Sequence, residues 1–153
     1  MNISFSGGAH VVGTGTPRVI LGTQPGAGAE VLETVPAGKL WRVVSFLVSL
    51  VTNSTVATRT AEFAVDDGAN IFSWGQPQLS QSASLTFPYV LGGAVNPAFP
   101  ASGVRQGNSV HVAVPGLGLA LLLAGFRIRT VSTNLQAGDQ YGQPKYLVEE
   151  WPA

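Results

Sequence analysis

The chain has 153 residues, enough for one domain with a real hydrophobic core. Apolar residues make up 45% of it, which is ordinary, but charged residues make up only 10%, where about 25% is usual. Eight basic and eight acidic side chains cancel, with no basic stripe for nucleic acid and no polybasic patch for a membrane surface.

Charges are depleted from interface cores, so a surface built from Ser, Thr, Gln, Asn and Gly suits a subunit packed in an assembly. A lone neutral β domain would carry the same composition. The absence of cysteine excludes disulfides and Cys-based zinc sites. Met1-Asn2-Ile3-Ser4-Phe5 lacks the basic start and apolar run of a signal peptide. The apolar run from Leu117 to Gly125 is about half the length of a membrane helix. The expectation is a soluble protein made in a cytoplasm.

In chain order, residues 1–28 come first and hold seven glycines, with Pro17 and Pro25. Glycine loses the most backbone entropy on ordering, so this segment is read as an extended N-terminal arm and 29–153 as the β domain. The bursts Val11-Val12 and Val19-Ile20-Leu21 suit addition to an exposed sheet edge. The arm is expected to be mobile alone and ordered on a neighbour.

Alternation then begins at Glu30, with Val31, Glu33 and Val35 on one face and Leu32 on the other. Pro36-Ala37-Gly38-Lys39 is a turn. Leu40 to Asn53 predicts the strongest strand, with Val44, Phe46, Val48 and Leu50 on one face. Val43, Ser45, Leu47, Ser49 and Val51 lie on the other. Ala57 to Asp66 predicts a strand with Ala61, Phe63 and Val65 inward and Thr58, Thr60 and Glu62 outward. Asp66-Asp67-Gly68-Ala69-Asn70 is a hairpin turn returning through Ile71 to Trp74.

Beyond it, 76–81 reads as polar loop and 82–86 as a strand, with Pro88 marking an edge or a bulge. Gly92 to Asn108 reads as a long loop. Strands follow at Val110–Val114, Leu119–Leu123 and Phe126–Thr133, the last with Arg127, Arg129 and Val131 on one face. A polar loop covers 134–144, and 145–151 closes the chain. Phe46, Val48, Phe63, Val65 and Val112 are the expected core. No segment has an apolar stripe at helical spacing. About eight strands joined by Gly/Pro turns predict an all-β fold, a β-sandwich or jelly roll.

The chemistry is sparse. His10 and His111 lie far apart in sequence and read as surface or edge histidines. No metal motif or nucleophile elbow is present. Asp66, Asp67 and Asn70 are calcium-capable by type, but the spacing is not that of an EF-hand loop and suits the hairpin turn. Glu149 and Glu150 are adjacent on a strand, so they point to opposite faces and form no carboxylate pair. Trp41, Trp74 and Trp151 read as core or interface aromatics, with a sugar platform as the alternative. No catalytic, cofactor-binding or metal-ligating residue is assigned, and the chain is not expected to be an enzyme.

Leu123-Ala124-Gly125-Phe126-Arg127-Ile128-Arg129-Thr130-Val131-Ser132-Thr133-Asn134-Leu135-Gln136-Ala137-Gly138-Asp139-Gln140, with Leu147-Val148-Glu149-Glu150-Trp151, resembles a pattern in small virion structural proteins of tailed bacteriophages. Val35-Pro36-Ala37-Gly38-Lys39-Leu40-Trp41-Arg42-Val43 and the turn at 66–70 are similar to the same group. The resemblance covers about residues 30–151 and carries no catalytic residues. It implies a capsid decoration or cement protein on the virion surface, with the major capsid protein as partner and a homo-oligomer as the expected state. The alternative is a fibre, spike or baseplate module that binds a host-surface glycan or protein.

Overall fold

A computed structural model describes residues 3–4, 10–11, 15–77, 79–92, 104–106, 109–113 and 121–153. At 3–4, 10–11, 104–106 and 109–113 the description is of backbone pairing only. The strands are β1 (Ile3–Ser4), β2 (His10–Val11), β3 (Thr16–Leu21), β4 (Leu32–Thr34), β5 (Lys39–Val51), β6 (Thr60–Asp66), β7 (Ile71–Gly75), β8 (Thr86–Gly92), β9 (Val104–Gln106), β10 (Ser109–Ala113), β11 (Arg127–Thr133), β12 (Gln140–Tyr141) and β13 (Lys145–Pro152). Eight of them have five residues or more. No helix occurs among the described residues, and none there is long and apolar enough to cross a membrane.

Two sheets pack face to face as a β-sandwich. The larger runs β3-β13-β5-β8-β10-β9, with β12 also paired to β5; the smaller runs β4-β11-β6-β7. Pairing is antiparallel except between β8 and β10. Between the sheets Phe46 stacks on Tyr146 at 4.7 Å and meets Phe63 edge-on at 6.0 Å. Phe63 in turn lies 5.7 Å from Tyr89. Phe46, Val48, Phe63 and Val65 are buried as expected; Val112 lies outside the described side chains, as do His10 and His111.

The long strand β5 departs from simple alternation. Val148 of β13 pairs with Val43, while Leu147 pairs with Ser45. Val44 is therefore an extra residue, a β-bulge that shifts the side-chain phase by one. After the bulge Phe46, Val48 and Leu50 point inward as predicted; before it Trp41 and Val43 do so, and Val44 is exposed. The inward placement predicted for Val44 is thus corrected to Val43. A second bulge makes Phe72 the extra residue of β7, since Val65 pairs with Ser73 and Asp66 with Ile71. Phe72 stacks on Phe126 at 5.1 Å.

Other expectations shift as well. The strand predicted at 82–86 is mostly turn, with Ser84 at φ 58, and the strand proper is β8. Pro88 sits within β8 in unbroken register with Ser49. Pairing with β10 begins one residue later at Tyr89, so its missing N–H falls where that ladder has not started. The loop predicted over 92–108 contains β9, and the one over 134–144 contains β12. Within the stretch read as an arm, β3 pairs along its whole length with β13. The sheet edge that receives Val19-Ile20-Leu21 therefore belongs to the chain itself.

Candidate interaction faces

Most of the charge in the described residues is spent on internal pairs. Arg59 and Asp139 meet at 2.9 Å with neither side chain exposed. The guanidinium also donates to the Thr55 and Ala57 carbonyls and to Asn53 Oδ1. Burial would raise the Asp139 pKa, yet hydrogen bonds from Arg59, the Gln136 N–H and the Asn53 N–H hold it below the ordinary carboxylate value. Beside this pair Gln81, also buried, donates to the Leu50 and Leu85 carbonyls and accepts from the Tyr89 hydroxyl. The Arg59, Asp139, Gln81 and Tyr89 side chains of this network are closed to solvent and tie together the loops at one end of the sandwich.

A second cluster lies on the outer face of the smaller sheet. Period two along β6 places Ala64 and Asp66 there, and Arg129 and Arg127 stand opposite them on β11. Arg127 Nε donates to Asp66 Oδ1 at 2.5 Å, and Arg129 Nε donates to Oδ2. Burial would raise the Asp66 pKa, but the two guanidiniums and the Gly68 N–H keep it low. Asp67 caps the Ala69 and Asn70 N–H groups of the hairpin turn. The residues weighed as calcium ligands are therefore used by arginines and by the turn. Among the described residues, no group of three His, Asp or Glu gathers as a metal site. Glu62, farther along the same face, accepts from Gln76, so in this cluster two guanidiniums share the single Asp66 carboxylate. It pins β11 to β6.

The adjacent glutamates also separate. Glu149 pairs with Arg42. Glu150 takes Lys39 at 2.9 Å, Arg18 at 3.1 Å and the Trp41 indole N–H. The Lys39 hydrogen bond, above all, holds the Glu150 carboxyl below its usual range. Trp41 and Trp151 are buried and Trp74 is partly exposed, so the three tryptophans form no common platform.

Large apolar side chains are exposed on the smaller sheet at Leu32, Ile71, Phe72 and Trp74, and on the outer face of the larger sheet. At one end the chain covers it: Leu40 and Trp151 are buried with Leu121 against them. There a Cβ on Gly15 would lie 2.8 Å from the Trp151 ring. Beyond that end the face carries the Arg42–Glu149 pair, Ser45, Ser49 and Lys145 among exposed apolar side chains. Val19 is 72% exposed and Leu21 60%, and Val44, Leu47, Val51 and Leu147 are exposed beside them. Register makes most of them neighbours. Leu147 lies between Val19 and Ser45, and Lys145 lies between Leu21 and Leu47. Val19 and Leu147 are direct cross-strand neighbours, about 5 Å apart, and Leu21 and Leu47 lie diagonally from Leu147 at about 7–8 Å, so these four form one patch around Lys145. Period two had placed Leu47 and Val51 on this face; the bulge that adds Val44 leaves no mark in a single sequence.

No protein-family model matches the chain, and no curated protein and no solved structure matches it either. The resemblance to phage virion proteins therefore rests on the turn and strand motifs alone.

Proposed function

We propose that this chain is a non-enzymatic structural protein that docks the exposed outer face of its larger sheet on another protein. The observation that carries this reading is the contiguous exposed patch of Val19, Leu21, Leu47 and Leu147 in a chain with only 10% charged residues. Contiguous apolar surface of this kind marks interaction sites. Following the sequence resemblance, the partner is a major capsid protein, and the chain is a decoration or cement subunit set over its junctions in a virion shell.

Sedimentation of the purified protein, alone and mixed with purified phage shells, tests the reading. The wild type is expected to bind shells with saturable stoichiometry. Leu47→Ser combined with Leu147→Ser should weaken that binding at least tenfold with little change in melting temperature, because both side chains are exposed. A strict monomer that ignores shells overturns the proposal.

A further inference from the structure

One edge of the larger sheet is formed by β3, and among the described residues no strand pairs with the side of β3 that faces away from β13. The Gly22 N–H donates to the Pro144 carbonyl at 2.9 Å, continuing the ladder in which Leu21 stands opposite Lys145. In an antiparallel pair, backbone groups turn toward and away from the partner at alternate residues. Gly22 therefore sets the phase. Thr16, Arg18 and Ile20 turn their backbone groups to β13, and Pro17, Val19 and Leu21 turn theirs out of the sheet. Pro17 has no N–H to leave unpaired there. Val19 and Leu21 each present an N–H and a C=O, and their side chains are 72% and 60% exposed. Sheet edges are commonly guarded by charge or by proline. Here Arg18 is held by Glu150 and Pro17 sits at the start of the strand, which leaves Val19 to Leu21 open.

This edge is complementary to itself. When a second β3 is laid antiparallel about a two-fold axis through Val19, Val19 faces Val19 and Leu21 faces Pro17 of the copy. Both outward N–H groups of each copy then find an acceptor: Val19 donates to the Val19 carbonyl and Leu21 to the Pro17 carbonyl. The register with β13 carries the match across the outer face. One row reads Leu147, Val19, then Val19 and Leu147 of the copy, all apolar. The rows beside it run from Lys145 through Leu21 to Pro17 and Glu149 of the copy, so their ends are opposite in charge and no like charges meet there. Arg18 falls opposite Ile20 of the copy and keeps its own Glu150. Backbone donors, apolar row and charge all match, and together they select the copy over an unrelated strand. We infer that β3 is the self-association edge of this protein, and that two copies join β3 to β3 in one continuous sheet with isologous two-fold symmetry. The inference stands apart from the capsid reading, because the pairing uses the sheet edge and sets the two outer faces side by side.

The test uses the symmetry. Residues that face each other in such a hydrogen-bonded pair have Cα atoms about 5.5 Å apart, within disulfide reach, and the chain has no cysteine of its own. Full-length Val19→Cys is expected to form a covalent dimer on mild oxidation. Leu21→Cys, on the same strand and also exposed, faces Pro17 and should cross-link at least tenfold more slowly. In sedimentation equilibrium, Val19→Lys and Val19→Glu should each dimerise at least tenfold more weakly than the wild type, and their equimolar mixture should recover the wild-type association. Leu47→Ser with Leu147→Ser alters the face and leaves the β3 edge intact, so that variant should still dimerise. A wild type that stays monomeric overturns the inference. So does Leu21→Cys linking as fast as Val19→Cys, or a Lys and Glu mixture no tighter than its components. Wild-type dimerisation that the Leu47→Ser, Leu147→Ser pair abolishes overturns it too, since the copies would then stack through their faces. Failure to bind shells, with Val19→Cys still cross-linking, overturns only the docking reading and leaves the β3 edge standing.

Discussion

Arg59 and Asp139 are eighty positions apart in the chain and form a bidentate ion pair, Nε to Oδ2 at 2.9 Å and Nη2 to Oδ1 at 3.0 Å. Neither side chain touches solvent. Breaking a buried pair by removing one partner leaves an uncompensated charge and costs about 3–5 kcal/mol. Arg59→Ala and Asp139→Asn are each expected to lower unfolding stability by that order in denaturant titrations. The double variant should lose less than the sum, since the second change removes the stranded charge left by the first.

The same pair gives the protein an acid limit. The Asp139 pKa lies below its unfolded value of 3.8, and so does that of Asp66. The unfolded chain therefore binds more protons in this range, and stability falls as pH drops. The contribution is complete above the unfolded value and is lost as pH falls through the folded one. Denaturant midpoints measured from pH 6 downward should decline for the wild type. The gap between wild type and Asp139→Asn should narrow over the same interval; a constant gap would contradict the assigned cause.

Alternation and turn chemistry made much of this fold legible. Ala61, Phe63 and Val65 are inward on β6 as period two requires, and the Asp66-to-Asn70 turn joins β6 to β7. Arg127 and Arg129 face away from Ile128, as their spacing implies. Illegible features were those set by tertiary pairing. Asp139 looked like a polar loop residue because its partner Arg59 is remote. Gln81 looked like loop for the same reason, although it is buried against Tyr89. The exposed apolar face was half visible, in Leu47 and Val51, while Val19 and Leu21 join it only because β3 pairs with β13.

The bulge at Val44 makes a sharp prediction from two adjacent valines. Val43 is buried and Val44 exposed. Val43→Ala should cost roughly 1.5–3 kcal/mol from lost burial, and Val44→Ala less than about 0.5 kcal/mol as a surface change. Equal costs, or the reverse order, would restore uninterrupted alternation along β5.

Glu33 is the acid that burial penalises. It lies on the inward side of β4, and its pKa is raised chiefly by desolvation, only partly offset by hydrogen bonds from the backbone, that of Thr23 first. The folded state holds the proton more tightly than the unfolded chain, whose reference value is 4.5. The contribution of Glu33 is therefore most favourable below that value and is lost as pH rises through the folded pKa, opposite in sign to that of Asp139 and Asp66. Glu33→Gln should be more stable than the wild type at neutral pH and equal to it in acid, as read from thermal melts across the range.

The last prediction concerns the N-terminal stretch, where the pairing of β3 sets the outcome of a truncation. β3 runs antiparallel to β13 from Thr16 through Leu21. Ile20 packs against the main core, and Arg18 pairs with Glu150. Further on, the Gly28 N–H donates to the Asp139 carbonyl at 2.7 Å, and Gln140 donates to the Pro25 carbonyl. Deleting residues 1–28 would strip these contacts, unpair one edge of β13 and expose its backbone donors and acceptors. The β domain is therefore expected to melt at a clearly lower temperature after this deletion and to aggregate more readily. Deleting only residues 1–14 keeps every one of those contacts and should move the melting temperature far less. Equal melting temperatures for the full chain and the 1–28 deletion would mean that β3 adds nothing to the fold, and that its pairing with β13 is incidental to stability.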